Sequence, residues 1–520
     1  INTNVLLTTK PDLYKIKTLG TVDYIGFEKQ LFTQGGFDDI LTNYPYQAVS
    51  AVVEILASQR NGFLSQQEAD IKIAALGSHD VRNDFNKDVY QAGANFQQSL
   101  SLQGGSSNMA WDLSLGYDNN TGLLNDKYKR TTVRTNQNYK ITRAFSISTG
   151  LDYTQSETNS GRLGYEQVRT STGKIPIYTA LADASGNALS IPYQYRTEYT
   201  DTLAGGRLLD WGYYPLKETQ ENRTKQKLQA IILNVGADYA FTKALSLRLK
   251  YQYGKQVTTG EQIFSENSYF ARNYINSFTG YGTGVNLVYH VPKGAIIDNS
   301  VQDLETHNLR GQFNFNKAIS KGELNAIAGA EVRQIRGSYN AGRAYGYDVN
   351  TLTSGRVDYT TAYPNLITGN ADFIVDGNSF LASLNRFVSF FANAAYTYKN
   401  KYTISASGRR DASNLFGAGT NDKWTPLWSV GAGWDINKEK FFDARWASRL
   451  KLRTSYGVNG NADPSRSSVT TLLYGSNSPY TQTPTAMIDQ FKNQGLRWET
   501  VYTFNGGLDY ESSNGRIHGS

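Results

Sequence analysis

The side chains in this sequence best suited to acid–base or metal chemistry are scattered. Four histidines, His79, His290, His307 and His518, stand far apart and lack the spacing of a metal-ligand pair. With no cysteine, the chain has no disulfide, no thiolate catalysis and no cysteine-based zinc site. Gly280-Tyr281-Gly282-Thr283-Gly284 is rich in glycine, but no helix signal follows it, so it reads as a flexible loop rather than a phosphate cradle. No G-x-S-x-G elbow occurs. Adjacent acids such as Asp38-Asp39 are to be expected in a chain with 45 carboxylates. These observations point to a protein that is not an enzyme, with no catalytic residue, no metal and no cofactor. The remaining candidates are aromatic. Trp211-Gly212-Tyr213-Tyr214-Pro215 gathers three rings on one loop. Such rings stack against sugar rings or apolar side chains, and flanking Asn, Asp and Arg satisfy hydroxyls or amides. Trp211, Tyr213 and Tyr214 are therefore the candidate substrate-binding residues. Packing of the loop onto its neighbours is the competing reading, and the residues favour it, because large loops need small cores of their own.

The elements that must carry this loop are strands. The 520 residues include 36 tyrosines and 48 glycines, but only 11 prolines and 2 methionines. Mean hydropathy is −0.49. No run of about 18 apolar residues occurs, so no transmembrane helix is expected. A barrel crossing a membrane with strands escapes that test, because lipid-facing apolar and lumen-facing polar side chains average to a polar composition. The net charge of +7 is spread along the chain rather than clustered, which does not suit a nucleic-acid partner.

Period-two alternation dominates. Trp111, Leu113, Leu115 and Tyr117 alternate with Asp112, Ser114 and Gly116. Leu245, Leu247, Leu249, Tyr251 and Tyr253 alternate with Ser246, Arg248, Lys250 and Gln252. Trp428, Val430, Ala432 and Trp434 do so with Ser429, Gly431 and Gly433. Each run thus has one apolar and one polar face. Short polar turns such as Lys399-Asn400-Lys401 and Thr242-Lys243-Ala244 contrast with long connections at 155–230, 254–285 and 336–385. Short turns on one side and long loops on the other is the outer-membrane pattern. Aromatics recur at run ends, among them Tyr117, Tyr139, Tyr153, Tyr239, Tyr253, Tyr398, Tyr402, Trp434, Tyr456 and Tyr510, as an interfacial girdle requires. A capping box at Ser65-Gln66-Gln67-Glu68 opens a helix that stops at Gly77, and a second short helix is expected over 83–91.

Several passages resemble a known family. Phe96–Ser106, Leu113-Ser114-Leu115-Gly116-Tyr117, Thr121-Gly122-Leu123-Leu124-Asn125 and Tyr128–Asn136 are similar to the plug-to-barrel passage and first hairpins of SusC/RagA-type TonB-dependent outer-membrane transporters of Bacteroidetes. Phe391–Tyr398, Arg410–Gly417, Trp428–Trp434, Leu450–Asn461 and Leu496-Arg497-Trp498-Glu499-Thr500 continue the resemblance in order. It implies an all-β fold, a large antiparallel transmembrane barrel of the 22-stranded class with a plug, long extracellular loops and a short helical segment near the N-terminus. Residues 1–95 are expected to be the end of the plug and the passage into the barrel, with the first strand and loop helices, and 96–520 the barrel. Roughly fifteen to seventeen strand-like runs fall short of the 22-stranded class. Most of the plug, the TonB-contacting segment and the last strands are therefore expected to lie outside this sequence.

The resemblance also implies TonB-dependent active import of a large nutrient, a glycan or an oligopeptide. The implied partners are a SusD-like surface lipoprotein serving as lid, TonB through the missing N-terminal region, and outer-membrane lipid, with the cell outer membrane as location. Two other classes compete. One is a passive porin or structural subunit of an outer-membrane assembly. The other is a soluble, secreted all-β protein such as a large carbohydrate-binding enzyme, which the turn–loop asymmetry disfavours.

Overall fold

The alternating runs become one antiparallel sheet in the computed structural model. It describes residues 1–520 apart from 171–172, 284–285, 415–423, 444–445, 462–465, 467, 479, 494–495, 497–498 and 520, and apart from the side chains of 425 and 476. Fifteen strands pair in chain order: β1 (Asn2–Thr8), β2 (Gly93–Gly105), β3 (Met109–Thr121), β4 (Lys127–Lys140), β5 (Phe145–Asn159), β6 (Asn222–Ala240), β7 (Leu245–Phe264), β8 (Ala295–Ile319), β9 (Gly322–Tyr347), β10 (Ser379–Tyr398), β11 (Tyr402–Ser413), β12 (Thr425–Asp435), β13 (Ala447–Asn459), β14 (Val501–Ser512) and β15 (His518–Gly519). Of the passages behind the family resemblance, Leu415, Phe416, Gly417, Arg497 and Trp498 lie outside the described residues, as does Gly284 of the glycine-rich stretch.

Up-and-down pairing puts every second connection at the same end. Turns at 106–108, 141–144, 241–244, 320–321 and 399–401 close one end. Connections at 9–92, 160–221, 265–294 and 348–378 crowd the other. Lys399 and Asn400 reach φ of 50° and 57°, so their tight turn holds two residues in the left-handed region, which Asn tolerates better than most.

Register decides which face each side chain meets. Leu249 pairs with Ala237 on β6 and Gly311 on β8. On this face Leu249, Leu309, Val332, Phe390, Ile404 and Val430 are all exposed. On a soluble domain such a band would be a liability, whereas against lipid it is the burying surface. Aromatics flank it. Tyr402 stacks on Trp434 at 6.4 Å near the short turns, and Trp428 meets Tyr456 at 5.9 Å toward the loops.

The tightly packed interior lies among the connections. One cluster joins Leu13, Val81, Phe85 and Val89 to Tyr165, Val168, Ile175, Leu181, Ile191, Tyr213 and Tyr269. A second joins Ile25, Val52 and Ile73 to Tyr178. Segment 9–92 is thus folded onto the 160–221 connection. It holds α1 (Thr21–Thr33), α2 (Asp38–Asn43), α3 (Ala51–Arg60), α4 (Gln66–Leu76) and α5 (Val81–Asp84), the last continued by a π turn over Phe85–Val89. The capping box at Ser65 forms as its sequence requires, with both reciprocal bonds made. The expectation of one helix and a second short one is corrected, since α1, α2 and α3 precede them. Gly20 and Phe37 offer no side-chain cap to α1 and α2, whereas Ser50 caps α3 by accepting from the Val53 N–H, and both α1 and α3 pack on Tyr178. The glycine-rich stretch is corrected too, because Thr279–Tyr281 pairs with Leu287–Tyr289 as a small hairpin.

Glu28 fastens this insert. It is 6% exposed and accepts a hydrogen bond from Tyr178 Oη at 2.6 Å. Burial pushes its carboxyl above the ordinary 4.5. A carboxyl raised in the native state contributes stability fully below 4.5 and loses it as pH rises through the raised value. After correction for intrinsic exchange, amides of α1 and α3 should therefore exchange faster at pH 8 than at pH 5. Glu28→Gln, which keeps an acceptor for Tyr178, should remove that difference. Hydrogen exchange followed by mass spectrometry reads both, and an unchanged pH dependence in the variant would refute the assignment to Glu28.

Candidate functional site

The aromatic loop is held by a helix of the neighbouring connection. Helix α6 (Pro215–Glu221) follows the loop, with Pro215 in its first turn. Helix α7 (Tyr269–Ser277) starts at Ser268, whose side chain accepts from the Ala271 N–H. From α7, Arg272 donates to the carbonyls of Asp210 and, at 2.8 Å, Gly212, which flank Trp211. It also pairs with the Asp210 carboxylate at 2.8 Å. One turn on, Asn276 binds both backbone groups of Leu209, accepting from its N–H at 3.0 Å and donating to its carbonyl at 2.8 Å.

The three candidate rings have different surroundings. Trp211 packs edge-on to Tyr195 at 5.4 Å, and its indole N–H is enclosed without an acceptor. Tyr213 is buried, stacked on Tyr193 at 4.2 Å and edge-on to Tyr269 at 5.4 Å. Tyr214 is half-buried, with the Lys217 ammonium over its ring at 4.7 Å and the Arg272 guanidinium at 5.9 Å. Burial raises the Tyr213 hydroxyl, and the Glu218 carboxylate adds to the shift. Burial also pushes Glu218 upward, against the Tyr269 N–H that it accepts at 3.1 Å. The tertiary structure thus brings Tyr193, Tyr195, Tyr269 and Arg272 to the three rings named from sequence. None of these four carries a motif. The helix signal Ser268 before α7 was the one legible hint of the clamp.

The inner face of the sheet is the other half of the site. Inward cations pair with inward carboxylates, mostly across strands: Arg130 with Asp118 at 2.7 Å, Arg248 with Asp238 at 2.5 Å, Arg343 with Asp298 at 2.6 Å and Arg453 with Asp509 at 3.0 Å. Arg134 and Asp152 form another such pair. Amides line the space between, and the Gln252 amide donates to Asn234 at 2.9 Å. This wall offers hydrogen bonds and balanced charge to a polar solute.

The histidines stay apart. His79 contacts Asp84 at 3.1 Å, His290 stacks on Tyr363 at 3.9 Å, and His307 lies between Tyr251 and Glu305 on the outer face. Among the described residues no three potential metal ligands cluster, and no helix is long and apolar enough to cross a membrane.

No family model matches the chain. Curated relatives do. The TonB-dependent receptor SusC of Bacteroides thetaiotaomicron is 23% identical over 495 residues, covering 88% of this chain and 43% of SusC. TonB-dependent receptor P3 of Formosa agariphila is 23% identical, covering 92% of this chain and 44% of its own. In three dimensions the RagAB peptide importer in its closed-closed state superposes with a TM-score of 0.66 at 19% identity, over 85% of this chain and 44% of that one. The chain is similar to SusC/RagA-type TonB-dependent receptors and has their barrel fold. It is an outer-membrane chain, and its exposed apolar face is the lipid face. The SusC-like chain spans less than half the length of the curated relatives it matches. In this setting the short-turn end faces the periplasm, and the loop end, with Trp211, Tyr213 and Tyr214, faces outward.

Proposed function

We propose that this SusC-like chain serves TonB-dependent active import of a large nutrient, a glycan or an oligopeptide, together with a SusD-like lid lipoprotein, and that it acts in transport rather than catalysis. The observation that carries this reading is the pairing of the two ends of the site. A polar wall of cross-strand ion pairs opens beneath an organised cluster of outward loops, so a captured solute meets hydrogen-bonding groups along its path. Residues 1–95 are read as the end of the plug and the passage into the barrel, with the first strand and loop helices, and 96–520 as the barrel. Trp211, Tyr213 and Tyr214 are read as part of the loop surface that meets cargo and lid, with Tyr213 the most enclosed of the three rings.

In cells carrying the full-length protein, deleting the SusD-like partner or the TonB-contacting segment is expected to abolish uptake of labelled oligosaccharide or peptide. The barrel should remain assembled, as seen by heat-modifiable migration on gels. Undiminished uptake in either deletion, or uptake insensitive to a protonophore, would instead mark passive diffusion.

A further inference from the structure

The outward face of the wall changes character in a fixed order toward the loops. On β5, Leu151 lies beside Leu233, and Tyr153 lies between Val133 and Ile231. Two residues higher, Gln155 lies between Thr131 and Gln229, and the Tyr153 hydroxyl donates to the Gln155 side chain at 3.0 Å. The next row is Lys129, Glu157 and Lys227, and the one above it Lys127, Asn159 and Lys225. Arg223 follows on β6. Apolar, aromatic, amide and then charged side chains thus succeed one another on one face, as on a strand that leaves acyl chains for headgroups. Glu157 stands four residues beyond Tyr153, about 13 Å along the strand and less in height, because barrel strands tilt. That is the level of the lipid headgroups, and flexible lysine stems lie along the wall to reach them.

This sector carries more cations than acids. On β4, β5 and β6, Lys127, Lys129, Arg223, Lys225 and Lys227 face one carboxylate, Glu157, which Lys225 holds at 3.0 Å. Glu261 lies opposite Lys225 on β7. Among the described residues Lys127, Lys129, Arg223 and Lys227 have no carboxylate within ion-pair distance, and all four are exposed. From β7 to β9 the outward charges alternate instead. Glu305 lies between Lys255 and Arg336 in register and meets His307 at 2.9 Å, and Lys255 is 3.9 Å from Asp303. The cationic excess is therefore local to β4–β6. Each of these strands is paired on both edges, and the cations point away from the lumen, so chain packed inside the barrel does not reach them.

We propose that this patch binds the phosphate groups of an anionic lipid of the outer leaflet and holds that lipid against the wall from β4 to β6. Cations without acids call for an anion. Position names its source. The patch continues the lipid face, so the acyl chains of one lipid lie along Val133, Leu151, Ile231 and Leu233 while its phosphates meet the lysines. A soluble acidic partner would have to displace lipid to reach the same face. Ammonium groups on flexible stems act as point charges and suit phosphates held at variable depth. The inference concerns the lipid face and does not depend on the import reading.

The test titrates the full-length protein in maltoside detergent with lipid A, a phosphorylated glucosamine lipid, and with the same lipid after removal of its phosphates. Native mass spectrometry counts the lipid retained. The phosphorylated form is expected to bind at least about tenfold more tightly, with the advantage shrinking as salt rises. K127Q/K129Q/K227Q should remove that advantage, and K127R/K129R/K227R should retain it. K255Q, in the balanced sector, should leave it unchanged. Equal binding of the two lipids, an unaffected glutamine variant, or loss of the advantage in K255Q would each overturn the proposal. So would displacement of the lipid by inorganic phosphate at the same concentration, which marks a plain anion site.

Discussion

An arginine at Leu249 is expected to destabilise the barrel by about 2–4 kcal/mol, the cost of a cation near the lipid midplane. Leu249 is the middle of the outward apolar run of β7, with Leu245 and Leu247 on one side and Tyr251 and Tyr253 on the other. Its strand neighbours Arg248 and Lys250 are already cations, but they point to the inner wall, where Arg248 meets Asp238 at 2.5 Å. The strand therefore tolerates charge on one face and excludes it on the other. Gln252→Arg, three residues on and on the wet face, should change stability by less than about 1 kcal/mol. Denaturant titration of both variants in phospholipid vesicles reads the contrast. Comparable losses would mean that the outward face assigned to Leu249 is wrong.

The second large effect is expected at Arg272. Its side chain is 9% exposed and serves the carbonyls of Asn267, Asp210 and Gly212, as well as the Asp210 carboxylate. Arg272→Met keeps much of the volume and removes every donor. Losing these charge-assisted bonds costs about 3 kcal/mol locally, equivalent to about a hundredfold loss of exchange protection. The loss should appear in 207–221 and in α7, with the middle of the wall strands unchanged, because the loop core meets the sheet at strand ends, through Phe264, Ile296 and Tyr345. If import proceeds as proposed, uptake should fall while the amount of assembled barrel stays the same. Unchanged protection in 207–221 would show that Asn276 alone is enough to hold Leu209 and the Trp211 loop.

These two variants separate the layers of the protein. The wall is stabilised by its ladder of backbone hydrogen bonds and by lipid on its outer face. The outward connections are stabilised as a small soluble protein would be, by buried clusters around Tyr178, Tyr213 and Ile275. Raising pH loosens the second layer through Glu28 and Glu218, whose carboxyls burial pushes upward.

The sequence by itself determined where most wall strands lie and which way they face, but not how far they reach, since strands occupy 155–159, 222–230, 254–264, 336–347 and 379–385 of the stretches read as connections. Alternation of Leu245, Leu247 and Leu249 with Ser246, Arg248 and Lys250 needs no partner to be read, because a strand's side chains alternate whatever lies beside it. The turns at 242–244 and 399–401 were equally plain, since a short polar link between two alternating runs has few other conformations. The helix at Gln66–Leu76 was legible because its capping box is local. Only the tertiary structure decided what the connections do. Helices α1 and α3 lack a strong amphipathic signal and form against Tyr178, well over a hundred residues away. Arg272 became a clamp, and Tyr193 a stacking partner of Tyr213, through contacts between separate connections. Strand register, which places Lys250 opposite Arg310 and Arg333 opposite Asn308, was likewise invisible in one dimension. A one-residue slip of any strand would pair different side chains, and only the assembled sheet selects among the slips.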